Sequence, residues 1–161
     1  MPLLNAGTPF PDLVVDLADG RRQVRVRDEL AGHFGVVLFN RGSWCPYCNA
    51  QLRSFQRVAD RFAAAGVRVL ALSVDDEATT KEMVDKLGLG FPVGHSADAR
   101  MVADATGAFV NEDPLHLQST GFVLDPEGRV VVSVYSSGAI GRLVPEDVLG
   151  LVAYVKDHAG H

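Results

Sequence analysis

Cys45 and Cys48 stand three residues apart with Pro46 and Tyr47 between them, and they are the only cysteines of the chain. In the first turn of a helix this spacing puts both on one face, roughly 5 to 6 Å apart at Cβ, so a small local shift would close a disulfide. A helix N-terminus offers unpaired N–H groups and partial positive charge that favour a thiolate, which makes Cys45 the expected nucleophile. Cys48, one turn further in and desolvated, is expected to stay a thiol until an electrophile on Cys45 comes within reach, as a resolving thiol does. Pro46 gives up an N–H that the first turn leaves unpaired anyway. Trp44 is placed to cover the sulfur.

Zinc and inert burial are the competing readings of such a pair. A closed zinc site needs two further ligands. The chain has no second C-x-x-C, and His33, His95, His116, His158 and His161 are scattered over expected loops and the C-terminal tail. Redox chemistry is the stronger reading because the pair follows an apolar strand and opens a helix. No metal and no cofactor is expected.

The elements that must carry the dithiol are readable on either side of it. Residues 36–39 form a continuous apolar run that stops at Asn40-Arg41-Gly42, as a buried strand entering a loop would. After Pro46, apolar side chains recur at Leu52, Phe55, Val58, Ala59 and Phe62, and Gly66 stands where a helix would stop, so one amphipathic helix is expected. Residues 67–74 read as a second core strand, and Asp75-Asp76 caps a helix that runs to Leu87 before Gly88. A short extended piece at 91–94 and a brief helix at 97–105 follow. Residues 122–124 and 130–135 flank the turn Asp125-Pro126-Glu127-Gly128 as an antiparallel hairpin, which makes the sheet mixed. Pro145-Glu146-Asp147 opens a last helix ending near Lys156. Upstream, residues 13–15 and the turn at Asp19-Gly20 suggest a small N-terminal hairpin.

The totals bound the partners. A chain of 161 residues that is 47% hydrophobic fits one domain over 1–161, with material for a packed core. With 20 acidic against 15 basic residues, the net charge of -5 argues against nucleic acid. No apolar stretch approaches the roughly 20 residues of a membrane span, and the first twelve residues lack the basic start of a signal peptide. A cytoplasmic location is therefore expected, with no membrane partner.

Arg41-Gly42-Ser43-Trp44-Cys45-Pro46-Tyr47-Cys48 resembles the active-site loop of thioredoxin-like proteins, with the inner dipeptide of glutaredoxin. Gly7-Thr8-Pro9-Phe10-Pro11-Asp12-Leu13, Phe91-Pro92-Val93 and residues 122–128 resemble segments of the alkyl hydroperoxide reductase/thiol-specific antioxidant family, the peroxiredoxins in the broad sense. The resemblance implies an α/β thioredoxin-like fold, a central mixed β-sheet flanked by helices, with an N-terminal β-hairpin extension. It also implies a thiol-dependent antioxidant oxidoreductase that acts on a hydroperoxide or a disulfide and is recharged by an external dithiol such as a thioredoxin or glutaredoxin-type donor. Cys45 and Cys48 would be catalytic, with Arg41, Ser43, Trp44, Pro46, Tyr47 and Thr120 supporting them.

Four positions depart from the family pattern. Leu38 stands where peroxiredoxins keep a proline, Gly42 where they keep a hydroxyl, Ser119 where they keep an arginine, and Thr120 where thioredoxins keep a cis-proline. Ser43 and Arg41 are candidate replacement donors, and His116 or Gln118 could reach in from the other loop. The plainer readings are a loop hydroxyl for Ser43, a solvated charge for Arg41 and loop filler for His116. Peroxide reduction, dithiol–disulfide exchange and a binding module on a redox-derived fold all remain open at this level.

Overall fold

The computed structural model describes residues 3–159; the expected domain over 1–161 reaches past them at both ends, and His161 lies outside them. Its central strand, β3 (Phe34–Phe39), is buried at all six positions, as a strand covered on both faces must be. It runs parallel to β4 (Val67–Leu72) and antiparallel to β8 (Thr120–Leu124). Parallel neighbours need a crossover, here supplied by α2 (Pro46–Arg57) and α3 (Ala59–Ala65). A second crossover through α4 (Glu77–Leu87) brings in β5 (Val93–His95) parallel to β4. Asp76 caps α4 by accepting the Thr79 N–H at 2.8 Å, and Gly88 ends it at φ +65°.

At the other edge a tight turn folds β9 (Val130–Tyr135) back on β8. Asp125 Oδ1 holds that turn, accepting the N–H groups of Glu127 and Arg129, both at 2.9 Å. The expected N-terminal hairpin is present as β1 (Val14–Leu17) and β2 (Val24–Arg25). It is a continuation of the main sheet, because β1 pairs with β5. The seven strands lie in the order β2-β1-β5-β4-β3-β8-β9, a mixed sheet.

Successive residues of a strand point to opposite faces, and β3 divides its apolar side chains accordingly. Val37 and Phe39 join Phe10, Leu72, Phe122 and, from α5 (Ala99–Thr106), Val102 on one face. Val36 and Leu38 meet Leu52 and Phe55 of α2, Met83 of α4 and Val148 of α6 (Pro145–Asp157) on the other.

Two local expectations need correction. The helix expected from Pro46 through Phe62 breaks at Val58, whose N–H bonds to Phe55 O at 3.3 Å in a tighter turn. The break sets Phe62 edge-on against Phe55 with ring centroids 5.4 Å apart. His95 and His116, expected in loops, lie buried in strands: His95 ends β5, and His116 is central to β7 (Leu115–Leu117), which pairs with β6 (Val110–Glu112). That hairpin escapes a hydrophobic pattern because Asn111, Glu112 and His116 interrupt it. A short α1 (Val26–Leu30) between β2 and β3 was likewise not expected. Among the described residues no helix is long and apolar enough to cross a membrane.

Candidate active site

The loop after β3 ends in a cap made of sulfur. Cys45 is the N-cap of α2, with extended backbone at φ −88° and ψ 113°, and Pro46 follows it in the first turn. An N-cap side chain normally offers oxygen to an orphan N–H of the first turn. Here Cys45 Sγ accepts the Cys48 N–H at 3.3 Å. Cys48 Sγ in turn accepts the Arg41 N–H, also at 3.3 Å. Both thiols are free and fully buried.

Two guanidinium groups converge on the pair. Arg41 Nη1 lies 3.8 Å from Cys45 Sγ. Its Nε donates to Gln118 Oε1 at 2.9 Å, and its guanidinium carbon lies 4.9 Å from the centre of the Trp44 ring. Arg41 is thus a half-buried part of the site and not a solvated charge. The second group belongs to Arg142, in the loop before α6. Arg142 Nη2 stands 3.0 Å from Cys48 Sγ and 3.7 Å from Cys45 Sγ. Its Nε donates to Ala139 O and its Nη1 to Gln51 Oε1, each at 2.7 Å. Gln51 is itself fixed, donating from Nε2 to Leu143 O at 3.0 Å.

The two thiols are driven apart in acidity. Burial pushes the Cys45 thiol up, but the hydrogen bonds it receives from Cys48 and Arg41 and the charge of Arg142 outweigh burial and hold its pKa below the ordinary value. Burial, followed by the hydrogen bond with Cys45, pushes Cys48 above its ordinary value despite the Arg41 N–H and the Arg142 charge. A nucleophile that ionises early beside a partner that ionises late suits thiol–disulfide chemistry.

The remaining loop residues hold this arrangement. The Ser43 N–H donates to Asp75 Oδ2 at 2.8 Å, and Ser43 O accepts from Asn49 Nδ2 at 3.0 Å. Ser43 therefore ties the loop to the end of β4 and to α2 through its backbone. The Trp44 ring lies over Gly42, where any Cβ would collide with the indole. That close approach accounts for the missing hydroxyl at position 42. His116 packs edge-on against Trp44 with centroids 5.1 Å apart, and burial holds its pKa below the usual imidazole value. It is a buried wall of the site, not loop filler. Trp44 and Tyr47 are 54% and 55% exposed and flank the cysteines. Thr120 donates its hydroxyl to Gln118 O at 3.1 Å, one bond removed from Arg41.

Arg142, Gln51, Asn49 and Asp75 were not legible as site residues. Arg142 is 97 residues from Cys45, and only the Ser/Gly-rich stretch before it hints at a loop that folds back. The delivery route is visible in the backbone. Ser119 O accepts the Ser136 N–H at 3.0 Å, and the Ser119 N–H reaches Gly138 O at 3.4 Å. The position that lacks the family arginine thus anchors the loop that brings another arginine in.

Comparison with known proteins gives the family. The model of the AhpC/TSA family matches residues 6–133. A peroxiredoxin of Methanothermobacter thermautotrophicus is 27% identical over 160 residues, covering 96% of this chain and 74% of its own. The thiol-disulfide oxidoreductase ResA of Bacillus anthracis is 27% identical over 148 residues, covering 91% and 76%. Among solved structures, a cysteine mutant of peroxiredoxin 6 of Arenicola marina superposes with a TM-score of 0.84 at 20% identity, covering 98% of this chain and 76% of its own, which speaks to the fold. The mixed sheet and the match over residues 6–133 lead to one conclusion: this chain belongs to the AhpC/TSA family.

Proposed function

We propose that the chain reduces hydroperoxides through a two-cysteine cycle in which Cys45 attacks and Cys48 resolves. The Cys45 thiolate attacks the terminal oxygen of the hydroperoxide, the O–O bond breaks, and the departing alkoxide or hydroxide takes a proton. Cys45 is left as a sulfenic acid. Cys48 then displaces the sulfenic oxygen as water and forms a disulfide, which an external dithiol of the thioredoxin or glutaredoxin type returns to two thiols. The observation that carries this reading is the pair of guanidinium groups on the sulfurs. Donors fixed where charge develops are what a peroxide needs; Arg41 supplies one beside Cys45, and Arg142 stands against both sulfurs, where the family's usual hydroxyl and arginine are absent. In this reading Ser43 and Pro46 fix the loop, Trp44 and Tyr47 face the incoming substrate or reductant, and Thr120 holds Gln118 beneath Arg41.

The test is rapid mixing of the reduced protein with hydrogen peroxide and with an organic hydroperoxide. Cys45 should oxidise about 100-fold or more faster than free cysteine, the size of effect that preorganised donors give. Cys45→Ser should abolish the reaction and Cys48→Ser should halt it at the sulfenic acid. Oxidation no faster than free cysteine, alongside rapid reduction of a mixed disulfide, would replace the peroxidase reading with dithiol–disulfide exchange. Slow reaction with both would leave a binding module.

A further inference from the structure

The two arginines are not equivalent. Arg142 Nη2 is 3.0 Å from Cys48 Sγ and 3.7 Å from Cys45 Sγ, whereas the Arg41 guanidinium reaches Cys45 alone, at 3.8 Å, and gives Cys48 only a backbone N–H. Charge-assisted hydrogen bonds are roughly twice as strong as neutral ones and weaken with length. The short contact therefore places the charge of Arg142 chiefly on Cys48.

We propose that the arginines divide the cycle, with Arg41 serving the attack of Cys45 on substrate and Arg142 serving the resolving attack of Cys48. The division rests on the peroxidase reading for what first oxidises Cys45. The resolving thiol is the one that needs help, since it is buried and must ionise to react. In the resolving step Cys48 releases its proton, and Arg142 holds the resulting thiolate. That thiolate attacks the sulfenic sulfur of Cys45; an S–S bond forms and the S–O bond breaks. The hydroxide that leaves combines with a proton to give water. The oxidising equivalents are those already taken from the hydroperoxide, so the step needs no further oxidant.

The way Arg142 is held supports this assignment. Its Nη1 is bound to Gln51, which follows Cys48 by three residues and so lies on the same face of α2. The helix that carries the resolving thiol thus grips the cation that would activate it. Ala139 O fixes the other side of the guanidinium, leaving Nη2 to the sulfurs. Arg142 is in this sense a catalytic residue that touches a reacting atom, and Gln51 is its positioning residue.

Rapid mixing with hydrogen peroxide separates the two steps, because Trp44, the sole tryptophan of the chain, adjoins Cys45 and reports its state. Dimedone trapping of the sulfenic acid gives an independent count of what has not yet resolved. Arg142→Gln should slow disulfide formation about tenfold more than it slows sulfenic acid formation, so that dimedone adduct and over-oxidised Cys45 accumulate. Arg41→Gln should show the reverse ratio. Arg142→Lys, which keeps the charge but not the fork, should recover part of the resolving rate, and Gln51→Met should lose part of it. If Arg142→Gln slows the peroxide step as much as the resolving step, Arg142 is a second peroxide donor and the division fails. A readout free of peroxide chemistry completes the test: in a Cys45→Ser background, alkylation of Cys48 should shift to higher pH when Arg142 is replaced by Gln. No shift would overturn the proposal even if the peroxidase reading stands. If the wild-type protein forms no sulfenic acid at all, the peroxidase reading falls while the Cys48 titration still decides what Arg142 does.

Discussion

The chemistry of single residues is set by how Cys45 is bonded. Its sulfur takes the place of a capping oxygen on α2, and its pKa is held low by bonds from Cys48 and Arg41 and by the Arg142 charge, against the opposing effect of burial. Two consequences follow for pH. Alkylation of the reduced protein by iodoacetamide should reach half its maximal rate below the ordinary thiol value of roughly 8.5, and Arg41→Gln should move that midpoint up. A group with a depressed folded pKa contributes stability that is complete above its unfolded pKa and is lost as pH falls through the folded one. The gap in urea midpoint between wild type and Cys45→Ser should therefore widen as pH rises towards roughly 8.5. A gap that narrows over that range would mean that burial, and not hydrogen bonding, dominates at Cys45.

At the scale of elements, what is local was readable and what is assembled was not. The strand before the cysteines, the Asp76-capped helix and the Asp125 turn each declare themselves within a few residues, through an apolar run, a cap or a Pro-Gly pair. The dithiol was legible for the same reason, since C-x-x-C is itself a local spacing. Arg142 was not, because its place depends on a loop pairing across the sheet with Ser119. Nor was the break at Val58, which interrupts a continuous helical period and sets Phe62 edge-on against Phe55. Room for the Arg142 loop comes from β8. A Cβ on Gly121 would lie 2.8 Å from Leu143 Cδ1 and 3.1 Å from Leu143 Cγ, and Leu143 O is the acceptor that fixes Gln51. Gly121→Ala should thus cost about 1 to 3 kcal/mol through overpacking, seen as a lower urea midpoint. It should also slow disulfide formation by loosening the Gln51–Arg142 pair. Retained stability with a normal resolving rate would show that the loop yields without disturbing the arginine.

Over the whole molecule, the strand order gathers the site at one end of the sheet. The ends of β3 and β4 deliver the Arg41–Cys48 loop and Asp75, the link between β7 and β8 brings Gln118, and the loop after β9 brings Arg142. Ligand sites of open α/β sheets characteristically lie beyond the carboxyl ends of parallel strands. The chain as a whole carries a net charge of -5, yet this end sets two cations against its only two cysteines. That arrangement biases the redox equilibrium of the molecule. A disulfide carries no thiolate charge, so contacts with Arg41, Arg142 and the N-terminus of α2 favour the reduced protein over the oxidised one. Whatever stabilises the reduced form makes the disulfide more oxidising. Replacing both arginines with Gln should therefore make the reduction potential more negative, by on the order of 30 mV for each tenfold change in the two-electron equilibrium. Equilibration of wild type and the double variant with mixtures of reduced and oxidised glutathione, followed by Trp44 fluorescence, measures it directly. An unchanged potential would mean that the arginines lower barriers without favouring either end state, and a less negative one would mean that they hold the disulfide more tightly than the thiols.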